Sequence, residues 1–223
     1  MFKAIIIGGT GATGKQLLIQ LIRNQNCELV TSIGRRPVLD GEKNDKLMDI
    51  VVESLFKLTA TEKYWKENDV FFNCIGTTRQ RAGGSKEFIN IESGISNEAA
   101  KMAANAKIPH ASLISAKGAN HKIWAKDWIH PLLYMKTIGQ KEQTIISNFS
   151  FNSVSIFKPG MLIRLRGKQT WFEDFSELKG FGLRVDTLAS AMIHDAERVR
   201  LGLVGKSPQY FIGNNHIKSS LEL

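Results

Sequence analysis

The feature that most constrains the fold is a run of four glycines within seven residues, Gly8-Gly9-Thr10-Gly11-Ala12-Thr13-Gly14. It stands directly behind the first apolar stretch, Ala4-Ile5-Ile6-Ile7. The spacing satisfies both Gly-x-x-Gly-x-x-Gly from Gly8 and Gly-x-Gly-x-x-Gly from Gly9. Behind it, Lys15–Asn24 places Leu17, Leu18, Leu21 and Ile22 on one face of a predicted helix. The order strand, glycine turn, helix has a direct physical use. One glycine lets the chain turn sharply out of the strand, another lets main-chain amides approach a pyrophosphate, and Gly14 lets the helix pack close to the strand. The helix N-terminus then offers free N–H groups and partial positive charge to the anion. Gly9 to Lys15 also fits the opening of a nucleoside triphosphatase loop, but the residue that should hold magnesium is Gln16 rather than Ser or Thr. That reading is set aside.

The rest of the chain repeats the alternation of short apolar runs with longer amphipathic stretches, the pattern of a parallel sheet with crossover helices. Strands are expected at Lys3–Ile7, Leu29–Ile33, Leu47–Val52, Val70–Ile75, Ala111–Ile114 and Val154–Phe157. Helices are expected at Lys15–Asn24, Phe88–Asn105, Ile129–Ser147 and Thr187–Arg198, the last capped by Asp186. Lys158-Pro159-Gly160 closes the sixth strand. Residues 161–184 read as an irregular segment covering the site. The fold class is therefore α/β, a Rossmann-type doubly wound parallel sheet, with residues 1–223 forming a single domain.

The tip of strand two selects the ligand more narrowly. A carboxylate about 20 residues past the glycines holds the ribose 2′-hydroxyl of NAD, whereas arginine accommodates the 2′-phosphate of NADP. This chain reads Ser32-Ile33-Gly34-Arg35-Arg36-Pro37, with two guanidiniums and no acid at the tip. Their planar forks suit a phosphate, so NADPH is expected over NADH. Lys15 is expected to help near the phosphates. Strand four ends Asn73-Cys74-Ile75-Gly76-Thr77-Thr78-Arg79, where the ribose next to the nicotinamide would lie.

Composition excludes several classes. Hydrophobic residues are 43% and charged residues 23%, which suits a folded globular domain rather than a disordered chain. Two cysteines, Cys27 and Cys74, do not make a disulfide framework and read as reduced thiols. The apolar runs are too short to span a membrane, so a soluble cytoplasmic protein is expected. The formal charge of +9 raises nucleic-acid binding as an alternative. The basic residues are scattered without a stripe of aromatic partners, so no nucleic acid is expected. The histidines show no metal-ligand spacing, and no metal is expected. Trp124 and Trp128, four apart, are assigned to helix packing.

Six segments, Gly8–Gly14, Ile33–Arg36, Cys74–Gly83, Leu113–Ala119, Tyr134 and Phe157–Leu162, occur in order with apt spacing. Together they resemble the atypical short-chain dehydrogenases known as the Tat-interacting oxidoreductases. The runs Cys74-Ile75-Gly76-Thr77-Thr78-Arg79 and Ser115-Ala116-Lys117-Gly118-Ala119 are the specific ones. The resemblance implies NADPH binding through Thr10, Gly11, Ala12, Thr13, Arg35, Arg36, Gly76 and Thr77, with further contacts at Leu162 and Arg166. It implies Tyr134 as proton donor to a small carbonyl substrate and Ser115 as a hydrogen-bonding partner of that carbonyl. The family pattern Tyr-x-x-x-Lys is broken here, because Ile138 occupies the lysine position. Lys136 points to the other side of the helix, Lys117 lies off strand five, and Lys141 shares the face of Tyr134 about 10 Å further along the axis. The two functional expectations are an NADPH-dependent carbonyl reductase and, as the alternative, an NADPH-binding regulatory or scaffold protein without turnover and with a protein partner.

Overall fold

A computed structural model describes residues 1–126, 129–165, 182–204 and 207–222. Its centre is a parallel sheet of seven strands: β1 (Phe2–Ile7), β2 (Cys27–Gly34), β3 (Leu47–Val51), β4 (Val70–Asn73), β5 (His110–Ile114), β6 (Ser153–Lys158) and β9 (Gln209–Ile212). Their order is β3-β2-β1-β4-β5-β6-β9. The chain winds outward from β1 to β3, then returns to the other side of β1 for β4. Between β1 and β4 the winding reverses, and a crevice opens there at the carboxyl ends of the strands.

Helices cover both faces. On one side lie α1 (Ala12–Arg23) and α6 (Val185–Arg200), joined to the sheet by a core that includes Leu17, Leu18, Leu21, Leu188 and Met192. On the other lie α4 (Ser96–Asn105) and α5 (His130–Asn148), over Ile5, Ile7, Phe71, Leu113 and Ile156. Alternate residues of β1 therefore enter opposite cores, Ile6 with the first and Ile5 and Ile7 with the second. Burial on both faces explains why β1 and β4 read as near-continuous Ile, Val and Phe runs. Trp65 is fully buried, donates Nε1–H to Thr61 Oγ1 at 2.9 Å, and packs against Phe71.

Several expectations are corrected. Helix α6 begins at Val185, with Arg184 at the cap position; Asp186 lies in the first turn, where it takes the Arg184 guanidinium at 2.7 Å. The expected helix Phe88–Asn105 starts earlier and is broken in register. It comprises α3 (Ser85–Ile89), a turn of π-helix (Asn90–Ile95) and α4. The segment 161–184 begins and ends as strands, β7 (Met161–Ile163) and β8 (Gly182–Arg184), which pair in parallel and bury Ile163 and Leu183. Residues 166–181 fall outside the described part. Strand β9 and the short helix α7 (Asn214–Ser219) are additions to the expected set. Trp124 is 64% exposed in a loop rather than packed on a helix, with Lys126 over its ring. Trp128 and Trp171 lie outside the described residues.

Gly139 shows how closely α5 sits on its neighbours. A Cβ there would lie 2.3 Å from the main-chain nitrogen of His121 and 2.4 Å from the carbonyl carbon of Asn120. Backbone cannot move aside as a side chain can. Gly139→Ala is therefore expected to cost about 1–3 kcal/mol, the usual scale of overpacking. A urea unfolding curve measures it as a lower midpoint at unchanged slope.

Candidate functional site

The crevice beyond β1 and β4 is a cavity of about 640 Å³. Its floor is the turn after β1. Gly8 has φ +89, and a Cβ on it would stand 2.6 Å from the carbonyl group of Cys74. A Cβ on Gly14 would stand 2.2 Å from the Gly8 oxygen. Both contacts are with backbone, so only glycine permits β1, β4 and α1 to meet at this distance. The Gly11 N–H closes the turn on Gly8 O at 2.9 Å. Gly11 then caps α1 without any side-chain hydrogen bond, and the first turn holds no acid. Main-chain donors at this helix start are thus left to the cavity, whose wall includes Gly8, Thr10, Gly11, Ala12 and Thr13. Gly14 acts beneath them as a packing residue.

Arg35 and Arg36 follow β2, border the same cavity and are exposed. Neither makes an ion pair among the described residues. Lys15 departs from expectation: it pairs with Asp40 at 3.7 Å and does not border the cavity. Its position on the first turn of α1 carries it outward, away from the turn.

The far wall comes from β4, the π-helical turn, β5, α5 and β7. Cys74, Ile75, Gly76 and Thr77 line it after β4. Burial pushes the Cys74 thiol up to about 12, so it stays protonated and unreactive. Tyr134, on α5, borders the cavity and stacks on Phe88 with ring centroids 5.8 Å apart. Its hydroxyl makes no hydrogen bond among the described residues. Burial raises the Tyr134 pKa above its ordinary 10.0, Glu92 adds to the rise, and Arg164 opposes it. Ser115, at the end of β5, also borders the cavity, but its O–H donates to Glu142, which is paired with Lys158 at 2.8 Å. With its one proton so engaged, Ser115 has only acceptor capacity to offer the cavity. Leu162 lies in the wall, and Arg166 lies outside the described residues; the arginine seen there is Arg164.

Four charged wall residues were not anticipated for the site: Glu92, Lys141, Arg81 and Arg164. Ile138 borders the cavity where the Tyr-x-x-x-Lys pattern has its lysine. Lys141 was expected to be too far along α5, yet it borders the same cavity and is buried. Helical side chains lean toward the N-terminus, so a lysine at the seventh position after Tyr134 reaches back. That lean was available from the sequence. Glu92 carried no such signal, because an acid in an amphipathic segment reads as a surface residue.

No protein-family model matches the chain. Among curated proteins, FMP52 of Debaryomyces hansenii is 37% identical over 166 residues, 74% of this chain and 69% of that protein. FMP52 of Meyerozyma guilliermondii is 30% identical over 178 residues, 79% of this chain and 72% of that one. Rat HTATIP2 is 30% identical over 158 residues, 71% of this chain and 62% of the rat protein. Both FMP52 proteins are named mitochondrial, which leaves the expectation of a cytoplasmic protein without support. No described helix is long and apolar enough to cross a membrane. Among solved structures, an oxidoreductase, ylbE of Lactococcus lactis, superposes with TM-score 0.67 at 16% identity, covering 99% of this chain and 95% of that one. MoeE5 in complex with UDP-glucose and NAD gives 0.67 at 14% identity, covering 99% and 81%. These structural likenesses show a shared fold alone; the sequence matches carry the kinship. The chain belongs to the family of FMP52 and HTATIP2, atypical short-chain dehydrogenase/reductases with an NAD(P)-binding Rossmann fold.

Proposed function

We propose that this protein binds NADPH and reduces a small carbonyl compound, with Tyr134 as proton donor. The observation that carries the reading is the pairing of an uncapped helix start over a glycine floor with two arginines that have no counter-ion among the described residues. A pyrophosphate fits the first, and a ribose 2′-phosphate fits the second. NADPH, when bound, supplies the hydride. Main-chain amides from Thr10 to Thr13 would hold the diphosphate, Arg35 and Arg36 the 2′-phosphate, and Gly76, Thr77 and Leu162 the opposite end.

Tyr134 does the acid work in this scheme. The residue borders the cavity, its hydroxyl makes no hydrogen bond among the described residues, and a raised pKa keeps it protonated throughout the neutral range. The same shift makes the phenolate scarce, so the reverse reaction, alcohol oxidation, is disfavoured. Ser115 orients the site through its bond to Glu142 rather than by donating to the carbonyl. A second reading, an NADPH-binding protein without turnover, is favoured by Ile138, which leaves α5 without an ammonium one turn beyond the tyrosine.

Calorimetry should show tighter binding of NADPH than of NADH. Replacing Arg35 and Arg36 together by Ala should weaken NADPH about a hundredfold and leave NADH unchanged, since each charge-assisted hydrogen bond is worth about 1.5–3 kcal/mol. Equal affinities in the wild-type protein would remove the case for the 2′-phosphate.

Against a panel of carbonyl compounds, Tyr134→Phe should lower NADPH consumption by about 10²–10⁴-fold, the usual contribution of a positioned acid. Because the tyrosine pKa lies above 10.0, the wild-type rate of reduction should stay level from neutral pH to about pH 9. A fall with a midpoint near neutrality would assign the proton to another group. Binding of NADPH with no consumption of it by any carbonyl would favour the second reading.

A further inference from the structure

A buried ion pair in the cavity wall has no part in the scheme above. Lys141, on α5, and Glu92, on the π-helical turn, have side chains each 1% exposed, and both border the cavity. Removing two charges from water costs several kcal/mol per ion unless the geometry is good and the remaining donors and acceptors are satisfied. The satisfaction here is specific. Lys141 Nζ donates to Glu92 Oε2 at 3.3 Å and to the main-chain oxygen of Ile75 at 2.9 Å. Glu92 Oε1 accepts the Thr77 N–H at 2.6 Å. The pair therefore grips the chain on either side of Gly76, in the segment that follows β4 and lines the crevice.

A buried charge pair that served stability alone could stand anywhere in the core. This one stands at the switch point of the sheet, where an open α/β fold receives its ligand. Glu92 reaches it from a turn of π-helix, an irregularity found frequently at functional sites. An ammonium carries three N–H bonds, and two have partners among the described residues. A dinucleotide with its diphosphate on the Gly8–Thr13 turn would find Ile75–Thr77 in the same cavity wall, on the side where its second ribose would be held. That ribose presents hydroxyls, which accept hydrogen bonds well from a cation.

We propose that Lys141 and Glu92 form the positioning device for the ribose on the nicotinamide side: the pair fixes Ile75–Thr77 in one conformation, and the third N–H of Lys141 donates to a sugar hydroxyl. This rests on the dinucleotide reading given under Proposed function. It assigns Lys141 a contact with the cofactor, and Glu92 a role through Lys141 and Thr77.

Two probes separate this role from general stability. NADPH covers the whole crevice, whereas adenosine 2′,5′-bisphosphate reaches only the glycine turn and the arginines. Lys141→Met alone leaves the Glu92 carboxylate unpaired in the core, so the outcome is read on the full-length Lys141→Met, Glu92→Gln double variant, in which neither charge remains. By calorimetry, this variant should bind NADPH about tenfold more weakly, about the value of one charge-assisted hydrogen bond, and bind the bisphosphate as the wild type does. Equal weakening of both probes, or no weakening of either, would show the pair to be structural and overturn the proposal. Wild-type protein that binds neither probe would instead strike down the dinucleotide reading, and this inference with it.

Discussion

Everything in the site depends on how closely three stretches of main chain meet. Gly8, Gly14 and the Cys74 carbonyl lie so near one another that a single Cβ at either glycine would overlap backbone. That contact draws the start of α1 down onto the end of β1 and holds the end of β4 beside it. Without it the helix start would stand off the sheet, and its unused N–H groups would face solvent instead of the crevice. The cost is an unusual backbone at Gly8, with φ +89, which glycine tolerates and other residues rarely do. The sheet supplies the second half of the arrangement. Because strand order reverses between β1 and β4, the connections that leave these two strands diverge and a crevice opens at their carboxyl ends.

The wall opposite the glycine turn is built from polar groups that largely satisfy one another. Ser115, Glu142 and Lys158 form one buried chain, which continues from Lys158 to the main-chain oxygen of Ala119. Glu92 and Lys141 form another, tied to Ile75 and Thr77. Tyr134, whose hydroxyl makes no hydrogen bond among the described residues, and Ile138 border the same cavity. An apolar residue at 138 removes a charge from the tyrosine's own stretch of helix. The cations of this wall include Lys141, neutralised by Glu92, and Arg164, which lowers the tyrosine pKa against the larger effect of burial. The balance keeps the phenol protonated, a state suited to giving a proton rather than taking one.

Much of this was legible from residues alone, and the parts that were not share a reason. Strands such as β1 and β4 announced themselves because parallel strands buried on both faces read as near-continuous apolar runs. Strand β9 did not, since Gln209–Ile212 lies at the sheet edge, where Tyr210 and Ile212 remain exposed and the apolar signal thins. The helix containing Glu92 was recognised, but its π-helical turn was not, because periodicity over a long window averages out one extra residue. Arg35 and Arg36 were identifiable because a strand tip has a fixed place in this fold. Lys15 was misplaced because one step around a helix turns a side chain by about 100°, enough to carry it from the crevice to Asp40.

The sequence by itself determined the parallel sheet, the glycine turn and the arginines beyond β2, because each rests on local rules: alternation, missing Cβ atoms and spacing along one strand or helix. Tertiary structure alone decided which polar side chains face each other across the crevice. Glu92 and Lys141 are 49 residues apart in the chain, and Ser115 and Glu142 are 27 apart. No periodicity links such positions. Only the packing of α5 and the π-helical turn against the end of β4 brings them within reach, because charges in a low-dielectric interior persist only where a partner has been folded against them.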